Sequence, residues 1–246
     1  DWGRTSKDYA KYRDIYPSVF YEKIAERGLC VANQRVLDLG TGTCVLPRNM
    51  YTYGANWTGT DISQQQIEEA KALARQMNQN ISYFCVSAED ISFTSHTFDV
   101  ITACQCFWYF DYERLLPKLL QYLKPEGRLL FLYMAWLPQE DAIAGASEQL
   151  VLKYSPNWSG AREYMHPISL PDCVYEVFEP VAHEEYALYI PFTRESWNGR
   201  MKACRGVGAS LSDQAMKAWE QEHLQLLKKN APAAFNIKHY AAMLEM

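Results

Sequence analysis

The residues with the clearest chemical reading lie in the stretch Val36-Leu37-Asp38-Leu39-Gly40-Thr41-Gly42-Thr43-Cys44. An apolar run ends in a carboxylate and a Gly-x-Gly turn. Glycines at such a turn let the backbone pass close to a ligand at the carboxyl end of a sheet, where open α/β sheets bind their ligands. Asp61 closes a second apolar segment about 20 residues beyond Gly40, where an acidic side chain accepts both hydroxyls of a ribose. A nicotinamide site would need a third glycine at position 45, and the chain has Val45 there. Asp38 also opposes a pyrophosphate, which rests on a helix N-terminus in such sites. A carboxylate at the turn suits a ligand that carries a positive amino group and no phosphate.

These residues need a parallel sheet to hold them, and the hydrophobic pattern supplies one. Arg35 to Leu39 reads as a buried strand, and 44–53 as a helix with Pro47 in its first turn, where the missing N–H costs nothing. Asn56 to Asp61 is a second strand. Ser63 to Met77 shows helical spacing at Ile67, Ala70, Leu73, Ala74 and Met77, with Ser63 and Gln66 placed as a capping box. Further strands are expected at 81–86, 98–104 and 127–136, with a helix capped by Asp111 between the last two. Strands alternating with helices of this length imply βαβ units. The fold class expected is α/β: a doubly wound, mostly parallel, seven-stranded Rossmann-like sheet, with an N-terminal helical lid and an insertion in the C-terminal half. One domain is expected over 1–246. Its core is about 30–136, 181–192 and 235–246, and its lid and cap elements are 1–29, 137–180 and 193–234. Prolines at 138, 156, 167, 171 and 180 mark the insertion, read as lying over one sheet edge. Residues 193–229 read as two helices broken near Gly206-Val207-Gly208, and 235–246 as a strand pairing with 181–192.

Composition narrows the partners. Apolar residues make up 48% of the 246, enough for a large core, so global disorder is excluded. The net charge of −5 argues against nucleic acid or an anionic membrane as the main partner. No apolar run is long enough to span a bilayer. The 7 cysteines form no C-x-x-C pair, which favours a reduced, cytoplasmic protein and no metal site. Oligomeric state is left open.

Residues 35–136 resemble the core of class I S-adenosylmethionine-dependent methyltransferases. The stretch Val36–Cys44 is similar to their glycine-rich motif, and Thr60-Asp61-Ile62-Ser63 to their ribose-binding acidic motif. Ser87-Ala88-Glu89-Asp90-Ile91-Ser92-Phe93 is similar to the adenine-side loop, Phe98-Asp99-Val100-Ile101 to strand four, and Leu123-Lys124-Pro125-Glu126-Gly127 to the turn into strand five. The segment Gln105-Cys106-Phe107-Trp108-Tyr109-Phe110-Asp111 resembles small-molecule methyltransferases of the trans-aconitate and ubiquinone/menaquinone-biosynthesis type. So does Tyr12-Arg13-Asp14-Ile15-Tyr16-Pro17. Cys44 stands where a third glycine is usual, and Trp108 where relatives often carry His.

The resemblance implies S-adenosylmethionine as cofactor, S-adenosylhomocysteine as product, and in-line methyl transfer to a small-molecule acceptor. Asp38 is implied to meet the amino group, and Gly40, Thr41 and Gly42 to let the backbone approach. Asp61 would take the ribose, Ile62 one face of the adenine, Ala88 and Glu89 its edge, and Gln105 the methionine chain, with Gln66 a further cofactor candidate. Tyr9, Tyr12, Arg13 and Tyr16 share one helical face. As a lid, that face would bring Tyr9 and Arg13 to the cofactor and Tyr12 to the acceptor. Trp108, Tyr109 and Arg200 are the other acceptor candidates, Arg200 for a carboxylate. His166 is the one candidate general base. Two alternatives stay open: a protein that binds S-adenosylmethionine or S-adenosylhomocysteine without catalysis, and an NAD(P)-dependent oxidoreductase.

Overall fold

The computed structural model describes residue 12 and residues 14–246. Helix α1 (Ser18–Glu26) leads into β1 (Arg35–Leu39), whose Val36, Leu37 and Leu39 are all buried. A strand covered on both faces reads as a nearly continuous apolar run, and β1, interrupted only by Asp38 after Arg35, has that character because it lies inside the sheet between β2 and β4. Then come α2 (Val45–Met50), β2 (Asn56–Asp61), α3 (Gln64–Gln76), β3 (Ser82–Cys85), β4 (Phe98–Cys104) and α4 (Tyr112–Tyr122). Ser63 caps α3 and Asp111 caps α4, each through its side chain, and both helices turn apolar residues such as Ile67, Ala70, Leu115 and Leu119 inward. Strands β3, β2, β1 and β4 pair in parallel in that order.

Strand β5 (Leu123–Trp136) pairs in parallel with β4 and begins at the end of α4, earlier than the glycine at 127 suggests. Its first residues pair only irregularly, with a register shift between Phe98 and Val100. Strands β6 (Ala182–Thr193) and β7 (Ala234–Glu245) complete a seven-stranded sheet of order β3-β2-β1-β4-β5-β7-β6. Leu129 and Met246 exchange both backbone hydrogen bonds, at 2.8 and 2.9 Å, and Leu137 N–H donates to Lys238 O. That pattern makes β7 antiparallel to β5.

The chain sorts into two compact units. One comprises Pro17–Tyr133, Pro167–Glu185 and Ala242–Met246, and it includes the short helix α6 (Asp172–Tyr175). The other comprises Met134–His166 and Tyr186–Ala241 with the segment through Tyr16. It holds α5 (Ala142–Tyr154), α7 (Arg194–Lys202) and α8 (Asp213–Asn230), the last two separated by a π-turn at Arg205–Ala209, where the glycines announced a break. The expected insertion at 137–180 is therefore divided between the units and contains a helix, α5, which the flanking prolines mask. No proline lies between 138 and 156, and Asp141 caps the helix through the N–H groups of Ile143 and Ala144.

His223, on the charge-rich helix α8, is fully buried. Its Nδ1 lies 2.8 Å from Asn198 Oδ1 and its Nε2 3.0 Å from Ser147 Oγ, an oxygen that also accepts from Trp197 Nε1. Burial holds His223 down at about 4, so the ring is neutral.

Candidate active site

The site is built where the parallel strands of the first unit end. Asp38 is 2% exposed. One of its carboxylate oxygens accepts the Thr41 hydroxyl and the other accepts the Thr102 hydroxyl, both at 2.6 Å. Thr102 is the register partner of Asp38 on β4, so the two side chains leave the same face of the sheet. On the other side the partner of Asp38 is Gly59. A methyl there would stand 2.9 Å from Thr41 Cγ2, so the glycine makes room for Thr41 to reach back to the carboxylate. Burial pushes Asp38 up to about 6 against the pull of its hydroxyl partners. A cation beside this group would favour its charged form.

Gly40 and Gly42 turn the chain with φ of 59° and 55°, in the left-handed region that glycine enters freely. A methyl at Gly40 would stand 2.8 Å from Cys106 Sγ, whose thiol donates to Leu39 O. Gly40→Ala should therefore cost about 2 to 3 kcal/mol in a denaturant titration, part overpacking and part φ strain. Cys106→Ala in the same chain should return the packing part only. Strictly additive effects of the two changes would refute this contact.

Cys44, at the place where a third glycine is usual, has φ 64° and ψ 39°. That left-handed conformation costs about 1 kcal/mol for a residue with a Cβ, which explains the preference for glycine. Its side chain is fully buried, and burial pushes the thiol up to about 12, which makes it inert.

Asp61 fastens two crossovers together. One carboxylate oxygen accepts Gly42 N–H at 2.9 Å and the other accepts Ser63 N–H at 2.8 Å. Burial raises Asp61 above its ordinary value, and these two N–H groups oppose the shift. The capping box expected from Ser63 and Gln66 is half formed. Gln66 N–H reaches Ser63 Oγ at 3.4 Å, but Ser63 N–H is taken by Asp61. Gln66 is itself 3% exposed, and its Oε1 has no hydrogen-bond partner among the described residues.

Ile62 follows at 72% exposure, an apolar side chain left open beside Asp61. Ala88 lies on the turn Ala88–Asp90, and Glu89 Oε1 accepts Asp111 N–H at 2.9 Å, tying that turn to the cap of α4. Gln105 ends β4 with a φ of 67°, its N–H donating to Leu132 O. Cys106 is thereby carried past the end of β4, so it does not continue the strand alternation from Cys104. Trp108 and Tyr109 are about half exposed, and Trp108 packs edge-on against Tyr133, ring centres 5.3 Å apart.

The remaining candidates lie in the other unit. The Tyr12 ring lies against Gly199, where a methyl would come within 2.5 Å of it. Arg200 is 5% exposed, with its guanidinium 4.9 Å from the centre of the Trp136 ring, so it does not occupy a solvated face. His166 Nε2 lies 2.9 Å from Glu163 Oε1. Tyr9 and Arg13 lie outside the described residues. Among the described residues no group of three or more His, Cys, Asp or Glu is placed to hold a metal ion. Sequence reasoning missed Thr102, Gly59 and Cys106, which shape the turn. The signal for Gly59 was available, since a glycine inside a strand marks a close approach.

A mostly parallel seven-stranded sheet of order β3-β2-β1-β4-β5-β7-β6, with helices between its strands and a glycine-rich turn after β1, is a Rossmann-like α/β fold. Residues 36–127 match the family model described as a methyltransferase domain. A ubiquinone biosynthesis O-methyltransferase from Coxiella burnetii is 32% identical over 110 residues, 44% of this chain and 47% of that protein. The chain thus aligns with about half the length of that relative. The YcgJ protein from Bacillus subtilis shares the fold with a TM-score of 0.54 at 20% identity, over 93% of this chain and 98% of that one. Phosphoethanolamine N-methyltransferase 2 from Haemonchus contortus, solved with S-adenosylhomocysteine, shares it with a TM-score of 0.51 at 17% identity, over 92% of this chain and 52% of that one. Among the described residues no helix is long and apolar enough to cross a membrane.

Proposed function

We propose that this chain transfers a methyl group from S-adenosylmethionine to a small-molecule acceptor in the cytoplasm. The observation that carries the reading is the Asp61 carboxylate, held by the N–H groups of Gly42 and Ser63 inside the segment that matches a methyltransferase domain. The residues fit the ligand. The turn offers carboxylates where a dinucleotide would need phosphate donors, and Ile62 leaves an apolar face open for a base.

When bound, S-adenosylmethionine supplies a methyl group already activated on a sulfonium. Asp61 accepts the ribose hydroxyls with lone pairs left over from its two N–H partners. Asp38 and Thr41 face the amino end, Gly40 and Gly42 keep the backbone close, and Gln66 and Gln105 complete the amide set. Ile62, Ala88 and Glu89 border the base. Trp108 and Tyr109 present ring faces to positive charge. Tyr9 and Arg13 are kept as cofactor contacts, and Tyr12 and Arg200 as acceptor contacts, with 1–246 acting as a single domain. Beyond this the protein supplies alignment and exclusion of water. The relative's name favours a hydroxyl acceptor. A hydroxyl needs a general base unless it is already ionised, and His166 is assigned that role.

The test is label transfer from methyl-labelled S-adenosylmethionine to a panel of phenols, catechols, carboxylic acids and amines, with S-adenosylhomocysteine affinity measured by calorimetry. Transfer to a panel member is expected. Tight S-adenosylhomocysteine binding with no transfer would replace this reading with that of a non-catalytic binding protein, and binding of NADH in its place would refute both.

A further inference from the structure

Asp38 is held from two sides by hydroxyls, and both holders lie with it in the first unit. A threonine hydroxyl has one hydrogen to give. That of Thr102 has two acceptors in reach, Asp38 Oδ1 at 2.6 Å and Leu37 O at 3.5 Å, so the carboxylate receives it. Thr41 gives its hydrogen to the other oxygen. The two holders differ in stiffness. Thr41 rides on the glycine turn, whereas Thr102 is fully buried on β4, between β1 and β5, where a β-branched side chain has few rotamers.

A carboxylate taken out of water needs opposite charge nearby. Among the described residues Asp38 has no ion-pair partner. Asp61, at the end of β2, repels its charge. The Cys30, Cys44 and Cys106 thiols and the Tyr83 phenol also face it, and burial raises all four, so they are neutral. The Arg48 guanidinium acts on Cys44 and Tyr83, and its Nε donates to Thr43 O. The two hydroxyls are thus what favours the charged form of Asp38 until a cation arrives.

We propose that Thr102 is a positioning residue that, with Thr41, holds the Asp38 carboxylate ionised for the ammonium group of the ligand, so that this end of the ligand binds with release of a proton in mild acid. The inference rests on the methyl-transfer reading given above. In the unliganded chain burial holds Asp38 at about 6. An ammonium beside the group lowers that value, so ligand and proton compete. In acid the Asp38 O–H bond breaks as the ammonium arrives, its electron pair stays on the carboxylate, and the proton goes to water. The ammonium keeps its own hydrogens. Without the Thr102 hydroxyl the charged form loses one of two hydrogen bonds, and the competition moves toward neutral pH.

The experiment titrates the full chain by calorimetry with S-adenosylhomocysteine and with methylthioadenosine, which has the same nucleoside and a thioether but no amino group. Both ligands present the same ribose to Asp61, so the ratio of their affinities isolates Asp38. From pH 7 to 5 that ratio should fall about 10-fold in the parent chain and in Thr102→Ser, which keeps the hydroxyl. In Thr102→Val, which keeps the shape alone, the midpoint of the fall should lie about 1 higher on the pH scale. Carbon-13 spectra of the Asp38 carboxyl without ligand should place the midpoints in the same order. A ratio that does not change with pH overturns the meeting of Asp38 with the ammonium. Equal midpoints in Thr102→Val and the parent overturn the role of Thr102. If neither ligand binds at any pH, the ligand part falls with the methyl-transfer reading, and the carbon-13 midpoints still decide whether Thr102 holds the charge.

Discussion

Asp61→Ala is expected to weaken S-adenosylhomocysteine binding about 100-fold, close to 3 kcal/mol, because two charge-assisted hydrogen bonds to the ribose disappear together. The same change leaves Gly42 N–H and Ser63 N–H without their acceptor, so the thermal midpoint should fall too. The two losses separate cleanly. Asp61→Asn keeps one acceptor oxygen but turns an NH2 toward one of those N–H groups, so it should bind with intermediate strength. Calorimetry decides the ribose role, and a melting curve decides the fastening role. A variant that melts early yet binds S-adenosylhomocysteine at parental strength would reduce Asp61 to a fastener of loops.

Acid should destabilise the protein well before its carboxylates titrate in bulk. Burial holds His239 down at about 3 and His223 at about 4, both below the ordinary value of 6.5. A folded-state pKa depressed in this direction means the unfolded chain binds the proton first. The stabilisation is complete above the unfolded value and drains away as pH falls through it. From pH 6.5 to 4.5 each ring should forfeit about 2 kcal/mol. Asp38 works the other way. Its folded pKa is raised to about 6, so the cost of its buried charge is relieved over the lower part of the same range, returning about 2 kcal/mol. Two histidines outweigh the aspartate, and a net loss of about 2 kcal/mol, roughly a 6 °C drop in Tm, should remain. His239→Phe removes one ring from the balance. Among the described residues His239 Nε2 has no hydrogen-bond partner, so the replacement strands nothing there, although it does give up the bond from Nδ1 to Ile237 O. The variant should lose most of the parent's pH dependence over this range, because the remaining ring and Asp38 nearly offset each other, and curves of equal slope would show that His239 is not buried as a neutral ring.

The first half of the fold was legible because its signals are local and redundant. Arg35 to Asp61 carries a buried strand, a glycine turn, a helix and a second strand in sequence, and each predicts the next. The same redundancy exposed Asp38, Gly40, Gly42 and Asp61 as a group. Partnerships between distant residues were not legible. That Asp38 shares its carboxylate between Thr41 and Thr102 depends on strand register, which a sequence read along one chain does not contain. The burial of His223 was hidden for a similar reason, since Asp213–Asn230 carries enough charge to look solvated while Trp219, His223 and Leu227 face inward. Helix α5 was obscured by the prolines on either side of it. The Glu163–Tyr240 contact joins a loop to the last strand, and no periodicity announces such a bond.

Because Gly42 and Ser63 are already joined through one carboxylate, the two crossovers are locked in register before any guest arrives. The ordering entropy of that crevice is met when the chain folds, not when it binds. A nucleoside entering there displaces solvent from a finished seat, and its affinity then reflects contact quality with little penalty for rearrangement.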